Sequence, residues 1–559
     1  MQKLKSIFRQ NFPGARRRDV LIWLFIVLGS SFVGLVMTYL SFRQGIDFGD
    51  GSTFFSFAHN LANGEVIYKD FIHFRTPGSY FLQSFFIRIF GDQQASVRFA
   101  LGFEARVLYI FFFATALAIF LRFKYVLLGV LSLLIVIALP PYAQLRTVLA
   151  LVAVVLYIQS YRGVAQHRSI WLVCSGVFIG LAFTFGQEAA LMAIVAIGLM
   201  ELFQIKKNTI KLALRRIGVL MLGTLLGVLP LLLYVITQSD VPTFLYYTFY
   251  YAFILQPQAM DLVYPPISYV NAMFYIVFVL YLIIFYIFYS SRKIGIVEGA
   301  LLVFGIMRLV TLLGRSDAGH LLFVLPELIF LTLYAIIHVK NAQFTKQGFK
   351  RFALYGAALS ISFWAAMSSS GIILIVSAFI IYLALYSKRS SMQEVTVMKD
   401  ANAIVLTVIT SFFSILIYIL YPSFSSTLDT MSTRGLTDLE IGGLNVTPAV
   451  YTEVNMINDA VKPLHPTTIF SYPIQPYYYN LAPKHATRFM TFELETTEKE
   501  QEQAIDDLKR TRPEVILYDP VQATSLDKPL GKINAYIKSH YKIKQVVVYS
   551  RTYWIMVPN

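Results

Sequence analysis

The stretch GIDFGDGSTFFSFAHNLANGEVIYKDFIHFRTPGSY, residues 45–80, follows the first long apolar run and interrupts it with acids and bases. Asp47, Asp50, Asp70, His73 and Arg75 fall inside it, and Arg98 opens the next apolar segment. Charge in lipid is costly unless it faces water or lines a functional cavity. The polar islands of such a chain therefore point to its function, and this island is the richest.

The surroundings of the island set the class. The chain has 559 residues, 57% of them hydrophobic and 15% aromatic, and only 14% are charged. Its mean hydropathy is +0.62. Apolar runs of about 20 residues recur too often to be buried helices of a soluble core. The single cysteine, Cys174, lies in an apolar run and is expected to be buried and inert; it leaves no disulfide framework. The net charge of +16 comes mostly from short connections between apolar runs. That is a topology signal, and it argues against a nucleic-acid partner.

Residues 1–18 carry Lys3, Lys5, Arg9, Arg16, Arg17 and Arg18 and no acid before them. The run 20–40 is long enough to span, so an uncleaved first helix with a cytoplasmic N-terminus is expected. Further runs lie at 107–121, 125–140, 147–160, 170–185, 189–204, 216–237, 269–290, 297–313, 321–339, 352–367, 371–386 and 402–421. Together they make about thirteen spans. Alternate connections are basic: Arg122 and Lys124; Arg162 and Arg168; Lys206, Lys207, Arg215 and Arg216; Arg292 and Lys293; Lys340, Lys346, Lys350 and Arg351; Lys388 and Arg389. The other set is poor in lysine and rich in Pro, Tyr and acids, and the alternation keeps phase throughout.

The expected architecture is a polytopic α-helical membrane module over 1–421, with a first external loop at 42–106 and an extracytoplasmic α/β domain at 422–559. In that tail the apolar runs shrink to strand length, at 468–472, 515–518, 544–549 and 553–557. A helix-like stretch, 497–510, stops at Arg512-Pro513, and a terminal hairpin is expected around Ser550. No Gly-rich phosphate loop interrupts it.

Counting from Asp50, the first loop places Ala58, Leu61 and Gly64 at regular offsets, then Tyr68-Lys69-Asp70, Arg75-Thr76-Pro77, Phe90-Gly91 and Arg98. Phe54, Phe57, Ala58 and Leu61 share a helical face, which predicts an amphipathic helix on the membrane surface, with Asp50 just before it. In this order the loop resembles that of the GT-C glycosyltransferases, above all the protein O-mannosyltransferase and aminoarabinose lipid A transferase group. The pattern there reads Asp-Glu, spaced Ala and Gly, Tyr-x-Asp, a Pro turn, Phe-Gly and Arg. This chain has Gly51 in place of the Glu and Arg75-Thr76-Pro77 in place of a common Lys-Pro-Pro. The resemblance implies a GT-C fold, a polyprenyl-phosphate sugar donor and a catalytic base at Asp50. Physical reasoning points the same way, because a carboxylate partly desolvated at the lipid boundary is a stronger base. Asp50 also fits a plain N-cap, and Asp47 is the alternative base.

A second island, Gly314–His320, holds Arg315, Asp317 and His320. Arg315 suits a bidentate clamp on a leaving phosphate, with His320 as a further donor, although an Arg315–Asp317 ion pair explains it too. Arg75 and Arg98 are further phosphate candidates, and Asp70 is expected to hold an arginine of its own loop. The third island holds Glu188, for which an ion pair with an arginine of a neighbouring loop is the leading role; Arg146 is a weaker site candidate. A divalent cation on Asp50, Glu188 and Asp317 is compatible with the residues, since hard-cation sites leave little sequence trace. No Walker loop and no zinc-ligand spacing occur. Asn445-Val446-Thr447 matches a glycosylation acceptor, disfavoured by Pro448.

The function expected is an inverting transferase of the plasma membrane, bacterial by its compact loops and by the resemblance. It would move a sugar from a polyprenyl-phosphate donor to a lipid, protein or glycan acceptor on the outer face. A transporter or flippase competes but predicts internal repeats and leaves the tail without a task. A surface-polysaccharide ligase or polymerase is the third reading.

Overall fold

In a computed structural model the described residues are 16–44, 50–137, 145–204, 210–255, 295–309, 324–338, 440–473 and 484–489, most of 492–559, Phe12, and scattered positions between 277 and 288. The chain divides into two compact units. The first comprises Met1–Leu35, Glu104–Leu231 and Leu262–Thr427; the second comprises Val36–Phe103, Leu232–Asp261 and Leu428–Asn559.

Among the described residues, six helices are long and apolar enough to cross a membrane: Arg17–Ser41, Gln94–Phe120, Leu145–Arg162, Ala165–Phe185, Gln187–Gln204 and Ile210–Gln238. Shorter apolar helices cover Val126–Ile137, Val241–Leu255 and Leu325–Ala335. The chain is a multi-pass membrane protein. The expected runs at 352–367, 371–386 and 402–421 lie outside the described residues.

The axis of the first unit is Leu145–Arg162. Every residue from Leu145 to Ser160 is buried, as a helix apolar all round from Val148 to Ile158 requires. Tyr109–Phe120, Arg168–Phe185, Gln187–Gln204 and Ile296–Leu309 pack around it and against one another. Glycine sets the closest crossing. A Cβ on Gly176 would strike the Leu220 carbonyl and the Thr224 amide, and one on Gly180 would strike the Thr224 carbonyl. Gly223 and Gly227 meet the Val173 and Val177 carbonyls in return. Small residues four apart on both helices let the backbones touch, the usual device for packing helices in lipid.

The second unit carries the sheet. A short antiparallel pair, β1 (Glu440–Ile441) and β2 (Leu444–Asn445), precedes it. Thr447 then caps the helix Pro448–Val461 by accepting from the Val450 amide, so the hydroxyl of the glycosylation motif serves the fold. Strands β3 (Thr468–Tyr472), β4 (Lys484–His485), β5 (Val515–Tyr518), β6 (Tyr541–Val548) and β7 (Thr552–Pro558) form one sheet in the order β4-β3-β5-β7-β6. β3 runs parallel to β4 and β5, and β7 runs antiparallel to β5 and β6. One face packs Val454, Ile457 and Val461 of Pro448–Val461 against Ile469, Val515, Leu517 and Ile555. The other stacks Tyr472, Tyr518 and Trp554 across three strands, under the helix Asp527–His540. The helix Glu498–Thr511 starts with a capping box, Thr497 and Glu500, and ends at Arg512 in the left-handed region (φ 44°) before Pro513.

The tail therefore has the expected strands, helix and terminal hairpin. Three local expectations change. The helix expected at 107–121 begins at Gln94 and passes through a π-helical turn at Phe103–Leu108. Arg98, Glu104 and Arg106 lower the hydropathy there, yet Glu104 and Arg106 are buried inside the protein, so the helix continues through them. Cys174 is half-buried, on a face that the apolar run alone did not distinguish. The polar face of the helix Asp50–Ala62 is covered by protein. Phe55, Ser56, His59 and Asn60 are buried along with Phe57, Ala58 and Leu61, so both its apolar and polar faces are enclosed by protein.

Candidate functional site in the first loop

Asp50 is the first residue of Asp50–Ala62; its side chain, like Asp47, Arg315, Asp317 and His320, lies outside the described residues. Phe55 and Ala58 pack on Ile87 and Val97, which fixes this helix against the two that follow. Its polar face is bonded rather than solvated. His59 Nδ1 stands 2.8 Å from Asp92 Oδ1, and Arg88 donates 3.0 Å to the Leu61 carbonyl, covering the helix end. The chain then leaves through Gly64 at φ +88°.

The Tyr-x-Asp element closes on itself. Val66 N–H donates 2.8 Å to Asp70 Oδ2, and Asp70 N–H donates 2.8 Å back to the Val66 carbonyl. Within this ring Tyr68 takes the left-handed conformation (φ 68°), which costs an aromatic residue about 1–3 kcal/mol. Tyr68 N–H donates 2.7 Å to the Phe71 carbonyl, and its buried hydroxyl donates 2.8 Å to the carbonyl of Arg75. Burial pushes the Tyr68 phenol far above its ordinary value, so it stays a donor. Asp70 was expected to hold an arginine; among the described residues it forms no ion pair and serves the turn instead.

Arg75 N–H donates 3.0 Å to His73 Nδ1. The proton of a neutral His73 ring then belongs on Nε2, which lies 3.3 Å from Tyr80 Oη. The His73 ring stacks on Phe74 (4.7 Å between centroids), and the Arg75 guanidinium lies over Phe74 at 5.4 Å. Sequence reasoning noted His73 among the charges of the loop without giving it a role. Its offset of two from Arg75 was the available signal.

The second unit joins this loop to two distant segments. Ser239 Oγ donates 2.5 Å to the Ile67 carbonyl, Tyr234 Oη accepts from Ile67 N–H at 3.3 Å, and Phe244 meets the Tyr68 ring at 5.2 Å. From the tail, the Arg488 carbonyl accepts Ile72 N–H at 2.9 Å, and His485 Nε2 stands 3.0 Å from Glu65 Oε2. Arg488 is itself fixed by a two-pronged pair with Asp507, Nε–Oδ2 2.9 Å and Nη2–Oδ1 3.0 Å. Burial works against the Asp507 carboxylate, but hydrogen bonds and charge from Arg488, with Arg510 adding charge, outweigh it and hold the group below its ordinary 3.8.

The remaining candidates separate. Arg98 is half-buried in the second unit, within the helix that starts at Gln94. Glu188 belongs to the first unit, where Arg146 pairs with it. The same unit buries two pairs that hydropathy hid: Arg308 with Glu327 at 3.2 Å, and Arg216 with Glu201 at 2.8 Å. Glu201 also accepts from Tyr157 at 3.0 Å and from Tyr161. No group of three or more His, Cys, Asp or Glu that could hold a metal occurs among the described residues.

No protein-family model matches the chain, and no curated protein matches it. Among solved structures it is similar to ArnT from Cupriavidus metallidurans in the apo state, at 13% identity over 96% of this chain and 97% of that one, with a TM-score of 0.49. The same protein bound to undecaprenyl phosphate is similar at 14% identity over the same shares, with a TM-score of 0.48.

Proposed function

We propose that the chain is an integral membrane glycosyltransferase of the GT-C type, acting on the extracytoplasmic face with a polyprenyl-phosphate sugar as donor. The observation that carries this reading is the make-up of the second unit. The first loop, with the Asp50 helix and the Tyr68-x-Asp70 turn, is bonded there to the C-terminal sheet domain through Ile72–Arg488 and Glu65–His485. An acid-bearing loop and a water-facing lobe fastened together are what an acceptor site at a membrane surface needs. A transporter has no comparable use for the lobe.

In this reading Asp50, or Asp47 in its place, takes the proton of an acceptor hydroxyl or amine. The acceptor atom bonds to the anomeric carbon from the face opposite the phosphate, so the sugar inverts. The bond between the anomeric carbon and the phosphate oxygen breaks, and polyprenyl phosphate leaves with the electron pair. Arg315, Arg75, Arg98 and His320 answer the charge that develops on it. Glu188 and Asp317 act through neighbouring arginines. The test is purified protein incubated with a panel of polyprenyl-phosphate sugars, following release of polyprenyl phosphate. Release with at least one sugar supports the reading, and no release with any of them, alongside lipid movement across a vesicle membrane, replaces it with transport.

A further inference from the structure

Arg75 has an unusual setting for a loop residue. Both hydrogen-bonding groups of its backbone are held by side chains: its N–H by His73 Nδ1 at 3.0 Å, and its carbonyl by the Tyr68 hydroxyl at 2.8 Å. Loop backbone normally bonds to other backbone or to water. Tyr68 reaches the carbonyl from a left-handed conformation (φ 68°) that persists only because Val66 and Asp70 close the turn around it. The His73 ring that accepts the N–H also stacks on Phe74, and Phe74 is the floor beneath the guanidinium. One imidazole thus fixes both the root and the platform of the side chain.

Among the described residues the charge of Arg75 meets no carboxylate. Arg146, Arg216, Arg308 and Arg488 each pair with one, whereas Arg75 forms no ion pair among the described residues. A half-buried guanidinium, oriented at its backbone and with no ion pair among the described residues, is prepared for an external anion.

We infer that Tyr68 and His73 are positioning residues that hold Arg75 for a lipid-linked phosphate. This rests on the donor chemistry proposed above. Neither residue touches the phosphate; each acts through the placement of Arg75.

The experiment is binding of polyprenyl phosphate to the purified full-length protein in detergent, with polyprenol and inorganic phosphate as separate arms. Binding of polyprenyl phosphate alone assigns the site to a lipid-borne phosphate; equal competition by inorganic phosphate overturns the lipid-linked assignment. Arg75→Ala is expected to weaken binding about tenfold or more, the loss of a charge-assisted bond. Tyr68→Phe and His73→Phe each remove one hydrogen bond to the Arg75 backbone and are expected to weaken it about fivefold. His73→Asn keeps an acceptor near Nδ1 and is expected to bind within about twofold of the parent. In an Arg75→Ala background neither Tyr68→Phe nor His73→Phe should weaken binding further.

Effects of Tyr68→Phe and His73→Phe that add in full to that of Arg75→Ala overturn the inference, because they would act on the fold and not through Arg75. Unchanged binding in both, with Arg75→Ala still weakened, also overturns it and leaves the donor reading standing. Unchanged binding in Arg75→Ala removes Arg75 from the donor site and the inference with it.

Discussion

His485 of β4 and Glu65 of the first loop stand 3.0 Å apart, 420 residues apart in sequence. The imidazole is fixed from its other side, where Nδ1 lies 2.7 Å from the Thr487 carbonyl and carries the proton that joins them. Asn60 Nδ2 lies 2.9 Å from the same Nε2 that faces Glu65. This small knot fastens the tail to the loop that holds the candidate base. Glu65→Ala and His485→Ala are each expected to loosen it by about 1–2 kcal/mol. The measurement is hydrogen exchange of the amides of Val66–Asp70 in the purified protein: exchange rises in both variants, and unchanged protection contradicts the fastening role.

The crossing of Arg168–Phe185 with Ile210–Gln238 depends on absent side chains. Gly176→Val would drive a branched side chain into the Leu220 carbonyl, and about 1–3 kcal/mol of stability should be lost. Gly198 and Gly218 have nothing within 4 Å of a built Cβ. Alanine at those two positions should be neutral, or stabilising by up to about 1 kcal/mol through helix propensity. Thermal unfolding in detergent distinguishes the two sets.

Glu201 neutralises Arg216 in a site where both side chains are buried, and two tyrosines bond to the same carboxylate. Glu201→Leu leaves a buried guanidinium without a partner and should cost about 3–5 kcal/mol. Adding Arg216→Met removes the orphaned charge. The double variant should therefore be more stable than the sum of the single effects, and strict additivity in a thermal melt would argue that the pair is not coupled.

Asp507 gives the tail one source of pH dependence. Its carboxyl is held below the ordinary 3.8, so the stability it contributes is present above that value and is lost as pH falls through the folded-state value. Exchange protection of β5 and β7 should fall on acidification below pH 3.8 in the parent protein. In Asp507→Asn that acid-side loss should be smaller, with the domain already weaker at neutral pH. Identical acid profiles would show that the Arg488 pair adds nothing.

Much of this architecture is legible in the residues themselves. Strand-length apolar runs separated by the Thr497–Glu500 cap and the Arg512-Pro513 stop announce the α/β tail, because caps and breakers act locally. The long helices follow from apolar length alone. What length cannot report is which polar groups pair at depth. Glu104, Arg106, Arg308 and Glu327 read as interruptions of hydropathy, yet they are buried, and Arg308 and Glu327 pair with each other from separate helices. The same limit hid the enclosure of Asp50–Ala62, whose polar face is bonded to Asp92 and to β4 and not to water. In the candidate site, the Tyr68-x-Asp70 spacing marks a segment that folds as a closed turn. The left-handed turn that explains the spacing depends on backbone geometry that no composition reveals.

The most direct measurement is release of polyprenyl phosphate from polyprenyl-phosphate sugars by the purified protein and by its Asp50→Asn variant, which keeps the shape of the side chain and removes its basicity. A general base contributes about a hundredfold to ten-thousandfold, so turnover by Asp50→Asn should fall at least about a hundredfold while polyprenyl phosphate binding is kept. Turnover by the variant equal to that of the parent would contradict the assignment of Asp50 as the base.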